Sequence, residues 1–239
     1  MYDIRTPHPK EEIGESDQSG SQLHRVRVWD LPTRVFHWTL VLLVGVSVVT
    51  VRIGATWMDC HAICGASIMA LILFRIAWGF IGGRESRFAS FMRGPATVIR
   101  YAKTLHRQSS MRYLGHNPMG GWSVLLMLFS LFFQAATGLF ANDDILTEGP
   151  LFHLVGKSAS DSLTTLHRLN SSVFIALVFL HVCAVLFYLV YKKDNLVTPM
   201  FSGFKSWPRK IDADDDNVWM AVAVTALLAL GVYGIFGLS

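Results

Sequence analysis

Charge is scarce in this sequence. Only 16% of its 239 residues are Asp, Glu, Lys or Arg, whereas 52% are hydrophobic. An ordinary soluble domain is about 25% charged, so this chain has too little charge to cover a water-facing surface of its own. The high apolar fraction also excludes a chain that is disordered along its whole length.

Cysteines are equally few. The chain has three, an odd number, which excludes a scaffold held together by disulfide bonds. The first 24 residues are polar and contain several acids, so they lack the apolar segment of a secretory signal peptide. We expect them to form a soluble, poorly ordered tail.

Long apolar runs, by contrast, are abundant. Five of them are long enough to cross a hydrocarbon layer of about 30 Å as helices. They cover residues 35–51, 61–81, 120–141, 169–191 and 218–239. Arg75 is the one charged residue within these runs. The sequence therefore predicts a multi-pass membrane protein whose helices contact lipid.

The basic residues are concentrated on one side of these runs. The segment 83–119 carries seven Lys or Arg against one acid, and the segment 192–217 carries five more. The loops of the other side hold three basic residues and five acids. By the positive-inside rule, the N-terminus and both basic loops are cytoplasmic, and the C-terminus is outside. This arrangement is typical of membrane topology and not of binding to nucleic acid.

From these runs we predict an all-α fold, a four-helix transmembrane haem-binding bundle plus a fifth C-terminal transmembrane helix. The chain then divides into a cytoplasmic tail (1–34), the bundle (35–191), and a cytoplasmic loop with the fifth helix (192–239). Gln134 and Thr137, which are polar residues in the third run, are expected to hydrogen-bond neighbouring helices.

Four histidines, His37, His61, His167 and His181, lie at the ends of the apolar runs or inside them. Ionisable residues at membrane depth are costly and are therefore functional candidates. His167 and His181 are 14 residues apart, so on one helix they face the same way within about 40° and lie about 21 Å apart. His37 matches the cytoplasmic depth of His181, and His61 matches the outer depth of His167.

Each pair is suited to hold a haem. Two imidazoles on opposite faces of a haem give a six-coordinate iron, which favours electron transfer because no position is open to a substrate. Zinc usually takes three or four protein ligands. The sequence has no Cys-x-x-Cys-His motif for covalent attachment, so we predict two haem b groups, each with two histidine ligands. For any one of these histidines, the alternative is a hydrogen bond between helices.

Arg75 and Gly65, both in the second run, are further candidates for haem binding. Arg75 lies 14 residues after His61 and thus near the cytoplasmic pair, where a haem propionate is its natural partner. Gly65, one turn after His61, would let a haem approach the helix closely. The alternatives are that Arg75 extends to the inner interface and that Gly65 only serves helix packing.

Several strings resemble, in order along the chain, the bacterial cytochrome b561 and nickel–iron hydrogenase b-type cytochrome subunit family. They are RVWDLPTRVFHW, HAICG, FRIAWGFIG, GHNPMGGW, QAATGLFANDDILTEGP, HRLN with LHV, and NLVTPMFSG, from about residue 26 to 205. In that family the matching histidines are haem ligands, which supports the pairs His37 with His181 and His61 with His167. The resemblance implies electron transfer in the bacterial inner membrane between the quinone pool and a redox partner.

The resemblance leaves three functions open. The first is a dihaem cytochrome that serves a periplasmic partner, and the string FANDDILTEGP is most similar to members that work with c-type cytochromes. The second is an enzyme, a superoxide:quinone oxidoreductase, although mildly acidic outer loops would not attract an anion. The third is a membrane-anchor cytochrome b subunit of a hydrogenase-like complex.

A quinone is the expected substrate in each case. His116, within the string GHNP, lies near the cytoplasmic pair and is a candidate to bond a quinone carbonyl. The alternative is that His116 and Asn117 cap the following helix or fix the loop.

Overall fold

The structure, a computed structural model, describes residues 23–107, 112–144, 147–211 and 217–237. Most of the predicted N-terminal tail lies outside these residues. The helices of the described residues are α1 (Leu31–Ile53), α2 (Met58–Ile81), α3 (Phe88–Phe91), α4 (Pro95–Thr104), α5 (Pro118–Gly138), α6 (Lys157–Val190), α7 (Val197–Ser202) and α8 (Val218–Gly237). The strands are β1 (His24–Arg27) and β2 (Phe204–Trp207).

The helices α1, α2, α5, α6 and α8 are long and apolar enough to cross a membrane. They confirm the five predicted runs and the all-α membrane class, with shifted boundaries. The largest shift is in α6, which was expected from residue 169 and begins at Lys157. The added turns are polar, and hydropathy does not detect a helix that continues beyond the lipid.

Two helix starts are fixed by caps. Asp30 precedes α1, and its Oδ1 accepts a hydrogen bond from the Thr33 amide at 2.8 Å. Asn117 precedes α5, and its Oδ1 accepts from the Gly120 amide at 2.8 Å. Such caps satisfy amides that have no partner within the helix. The capping role considered for Asn117 is thereby confirmed.

The transmembrane helices pack around α2. Helix α1 packs along α2, α5 packs along α6, and α2 also contacts α5 and α8. The fifth helix is therefore attached to the bundle, and its Ala221 and Val232 belong to buried clusters with residues of α2. Within the described residues, the backbones of α1 and α6 approach each other at few places, although these two helices carry His37 and His181.

A small antiparallel sheet accompanies the helices. Strand β1 pairs with β2, with His24 opposite Trp207 and Arg27 opposite Phe204. The amides of Val28 and Trp29 continue this contact by donating to the carbonyl of Gly203 at 2.8 and 3.2 Å. The sequence did not predict these strands, since four residues with no long alternating pattern give no strand signal.

The bundle has two ends that differ in charge. We call the end where α1 begins and α6 finishes the basic end, and the opposite end the acidic end, after the loops counted above. Cys60, Cys64 and Cys183 are all free thiols, as expected for a chain without a disulfide scaffold. The division into tail, bundle and C-terminal part stays a prediction.

Candidate functional site

At the acidic end the structure brings His61 of α2 and His167 of α6 together. Their ring centres are 6.3 Å apart, and the ring planes are nearly perpendicular, at 84°. A metal–nitrogen bond is about 2 Å long, and each ligating nitrogen lies about 1 Å from the centre of its ring. The ring centres of two imidazoles on opposite sides of one metal are therefore about 6 Å apart. The observed separation therefore fits one iron ligated by both rings.

The hydrogen bonds of these rings define which nitrogen carries the proton. Nδ1 of His61 lies 3.1 Å from the carbonyl oxygen of Ser47, and Nδ1 of His167 lies 2.9 Å from that of Gln134. A carbonyl oxygen only accepts, so each Nδ1 is the donor and each Nε2 keeps its lone pair. A metal-ligating histidine has this arrangement in most proteins.

A polar network between α5 and α6 surrounds His167. The amide of Asn170 donates to the Ser130 carbonyl at 3.0 Å and to Gln134 Oε1 at 2.7 Å. The amide nitrogen of Gln134 consequently donates to Nε2 of His167 at 3.0 Å, so an iron ligated by this nitrogen would replace that hydrogen bond. Thr137 Oγ1 lies 3.3 Å from Nδ1 of His167. The predicted interhelical hydrogen bonds of Gln134 and Thr137 are confirmed.

Sequence reasoning missed Asn170 and Gly138. Asn170 could have been found as a lone amide one turn after His167 in an apolar run. A Cβ atom on Gly138 would lie 3.0 Å from Cε1 and 3.3 Å from Nδ1 of His167, so glycine lets this ring pack against α5. At Gly65 a Cβ atom would meet no atom within 4 Å, and the place of Gly65 beside a haem stays a prediction.

His37 of α1 and His181 of α6 both lie at the basic end, and their pairing stays a prediction. The ring centres of His37 and Trp38 are 4.9 Å apart, and the two ring planes are nearly perpendicular, at 88°. Nδ1 of His37 is buried and has no hydrogen-bond partner. This end therefore differs from the acidic end, where both histidines donate to carbonyl oxygens.

Arg75 of α2 is buried at the basic end, with a side chain that is 3% exposed. Its guanidinium lies 5.1 Å from the centre of the Phe88 ring, and its Nη1 is buried without a hydrogen-bond partner. The side chain is thus enclosed by protein and does not reach the surface of the described residues. A buried cation with a free donor fits the carboxylate of a haem propionate.

His116 lies beside Arg75, between the rings of Trp29 at 4.8 Å and Phe91 at 4.7 Å. Burial, together with the nearby Arg75 and His181, lowers the pKa of His116 to about 3. The imidazole is therefore neutral at physiological pH. Its Nδ1 is buried and has no hydrogen-bond partner.

Asp30 organises the same end and was not identified from the sequence. Besides capping α1, its Oδ2 accepts hydrogen bonds from Trp78 Nε1 at 3.0 Å, from the Gly83 amide at 3.1 Å and from Ser86 Oγ at 2.9 Å. The side chain is buried, and its carboxylate also supplies the negative charge opposite Arg75. Asp30 therefore connects α1 to the end of α2 and the segment that follows.

The donor set fits haem better than a zinc ion. The described ranges contain no group of three or more His, Cys, Asp or Glu residues that could hold a metal ion. Between the two ends, Phe174 packs with Ile68, Ile72 and Leu131 in a buried apolar cluster. Apolar packing thus separates His61 and His167 from the histidines of the basic end.

Comparisons with known proteins identify the family of the chain. The profile described as prokaryotic cytochrome b561 matches residues 28–203. The "Probable Ni/Fe-hydrogenase 1 B-type cytochrome subunit" of Escherichia coli (strain K12) is 26% identical over 215 residues, covering 75% of this chain and 90% of that protein.

The "Probable Ni/Fe-hydrogenase B-type cytochrome subunit" of Cupriavidus necator is 22% identical over 223 residues, covering 79% of this chain and 90% of that protein. The protein of the same description from Rhodobacter capsulatus is 23% identical over 216 residues, covering 76% and 82%. No solved structure matches the chain significantly. Since the family profile spans most of the chain, including all four histidines, this multi-pass membrane protein belongs to the prokaryotic cytochrome b561 family of haem-binding, b-type electron-transport cytochromes.

Proposed function

We propose that this cytochrome binds two haem b groups and transfers electrons across the bacterial inner membrane between the quinone pool and a periplasmic redox partner. The observation that carries the proposal is the close approach of His61 and His167 at one end of the bundle, with His37 and His181 at the other end. His61 and His167 ligate one haem, and His37 and His181 ligate the other. The bound haems would supply one-electron redox couples. The protein supplies the ligands, holds each haem near one face of the membrane and surrounds it with apolar side chains.

The remaining candidate residues have separate roles in this proposal. Arg75 holds a propionate of the haem at the basic end through its free Nη1. Gly65 admits the other haem beside α2. His116 donates a hydrogen bond from Nδ1 to a quinone carbonyl, and its low pKa keeps it neutral for that task.

The orientation follows from the charge of the two ends. The basic loops place the N-terminus and the basic end in the cytoplasm, and the C-terminus in the periplasm. The haem ligated by His61 and His167 is then the periplasmic one, and the quinone site at His116 lies on the cytoplasmic side.

Two kinds of periplasmic partner are consistent with the proposal. The acidic outer loops suit a basic c-type cytochrome. The relatives named as hydrogenase cytochrome subunits favour a hydrogenase-like enzyme complex as the second candidate. The superoxide-oxidising alternative receives less support, because Lys157 forms ion pairs with Asp144 and Asp161 and so offers no free positive charge to an anion.

The haem content of the purified chain tests this proposal. A pyridine haemochrome spectrum of the protein in detergent is expected to give two b-type haems per chain. The protein is then reduced and the excess dithionite is removed. Addition of a soluble quinone analogue is expected to reoxidise both haems. A chain with one haem or none contradicts the dihaem assignment, and two haems that a quinone does not oxidise contradict the electron-transfer role.

Substitution of Gly138 with valine should selectively weaken the periplasmic site. The valine side chain would displace the His167 ring, which a Cβ atom alone already approaches to 3.0 Å. We expect the haem content to fall from about two towards one per chain. Haem absorbance per mole of protein measures this loss. Gly231→Val on α8, where a Cβ atom meets nothing within 4 Å, is the matched control and should retain both haems.

A further inference from the structure

We infer that helix α4 lies in the membrane surface at the basic end and that Arg93, Arg100 and Lys103 bind the phosphate headgroups of anionic phospholipids there. This binding requires only that the chain spans a membrane, and neither haem nor quinone enters it. Three observations support it, namely the position of α4, the side chains that α4 exposes and the lack of acids along this part of the chain.

Helix α4 is attached at the level where α6 ends. Tyr101 of α4 is buried, and its hydroxyl oxygen lies 2.7 Å from that of Tyr188, in the last turn of α6. Just after α4, the carbonyl of His106 accepts a hydrogen bond from the hydroxyl of Tyr191 at 2.6 Å. Helix α4 therefore lies at the boundary between the apolar helices and the polar loops of the basic end.

The start of α4 is fixed at the same level by α5. The carbonyl of Arg93, just before α4, accepts a hydrogen bond from Nε1 of Trp122 at 2.9 Å. Trp122 lies in the second turn of α5, and its side chain is 44% exposed. A tryptophan with a bonded N–H group and an exposed ring is typical of the interface between membrane and water. Both ends of α4 are thus held at interfacial depth.

The exposed face of α4 combines an apolar side chain with cations. Ile99 and Lys103 each lie two residues from the buried Tyr101, which places them about 200° away from it around the helix. Ile99 is 56% exposed. Lys103 and Arg100 are also exposed and are neighbours at a spacing of three residues. In an interfacial helix, such an apolar side chain enters the acyl chains while the cations stay among the headgroups.

The cations of this region lack acids to neutralise them. Between Glu85 and Asp143 the sequence contains no Asp or Glu, although it contains six Lys or Arg. Within the part of the chain that the structure describes, Arg93, Arg100 and Lys103 form no ion pair with a carboxylate. A phosphodiester headgroup supplies the negative charge that this surface lacks, and Lys and Arg close to an anionic lipid surface are attracted to it.

Lipid binding by the purified full-length chain tests this inference. The protein is delipidated in a neutral detergent and titrated with phosphatidylglycerol or with phosphatidylcholine, and the bound lipids are counted by native mass spectrometry. We expect phosphatidylglycerol to bind about tenfold more tightly, because several cations near one anionic headgroup together favour it by about this factor. High salt should reduce the preference, since it screens exposed charges.

Variants of α4 test which residues bind the lipid. Arg100→Gln combined with Lys103→Gln should reduce the preference to about threefold or less. Arg100→Lys combined with Lys103→Arg keeps both charges and should retain it. The matched control is Arg209→Gln with Lys210→Gln, which removes the same charge from exposed residues at the same end but outside α4. This control should retain the preference, and circular dichroism should show native helical content in all variants because the four residues are exposed.

Three results would overturn the inference. The first is equal binding of the two lipids by the parent chain. The second is an equal loss of preference in the control, which would indicate attraction by the overall charge of this end and not by α4. The third is binding of inorganic phosphate in lipid-free detergent with the same dependence on Arg100 and Lys103, which would indicate a site for free anions. None of these results depends on the haem content, so they are distinguishable from a failure of the proposed function.

Discussion

Replacing His61 with alanine is expected to remove one haem per chain and leave the other in place. Alanine cannot ligate iron, and the partner ring of His167 alone does not give the six-coordinate site that holds the haem in the bundle. His167→Ala should have the same effect. His37→Ala and His181→Ala should each remove the other haem. The pyridine haemochrome signal per mole of protein should therefore fall by half in all four variants.

The sharpest form of this experiment combines variants across the two pairs. His61→Ala with His167→Ala disrupts one site twice and should still leave one haem. His61→Ala with His37→Ala disrupts both sites and should leave none. His153→Ala, an exposed histidine between α5 and α6, is the control and should retain two. The assignment of ligands is wrong if His61→Ala keeps both haems. It is also wrong if the variant with His61→Ala and His167→Ala loses both haems while its circular dichroism still shows the native helical content.

Asp30→Ala should cause the largest loss of stability of any single substitution considered. It removes the acceptor of four hydrogen bonds, from Thr33, Trp78, Gly83 and Ser86. It also leaves the buried guanidinium of Arg75 without its opposite charge. Loss of one partner of such a buried arrangement costs about 3–5 kcal/mol, which corresponds to a melting temperature lower by about 10 °C.

Thermal unfolding in detergent, followed by circular dichroism, measures this change. Asp59→Ala is the matched control, because Asp59 is an exposed acid in the first turn of α2, where its loss costs under about 1 kcal/mol. Asp30→Asn should be intermediate, since its amide oxygen still accepts from Thr33 while its amide nitrogen faces three donors. Equal melting temperatures for Asp30→Ala and Asp59→Ala would show that Asp30 is not a structural centre.

The sequence predicts the membrane helices and the adjacency of His61 and His167 because both follow from the helical geometry of apolar runs. Apolar runs of 17 or more residues have few alternatives in lipid, and the fixed rise of a helix converts the spacing of His167 and His181 into depth. Gln134 and Thr137 were likewise predictable, because polar side chains in such runs need partners. These inferences depend on local properties of the chain.

The features that were missed depend on distant contacts. Trp78 and Ser86, which donate hydrogen bonds to Asp30, are about 50 residues away from it along the chain. No local sequence pattern indicates these two bonds. Gly138 matters because His167, on another helix, packs against it. The polar start of α6 is stabilised by contacts such as Ser160 Oγ to the Phe140 carbonyl. Hydropathy contains no information about such pairings.

The pairing of β1 with β2 has a consequence for the order of assembly. Residues 24–27 are among the first to be synthesised, but their partners at 204–207 are made only after α6 is complete. During synthesis, all four candidate ligands precede β2, and the amides of Val28 and Trp29 do not yet have the Gly203 carbonyl as a partner. The basic end of the molecule can therefore close only after α6 has been made, and under the proposed dihaem assignment its haem can enter before that closure.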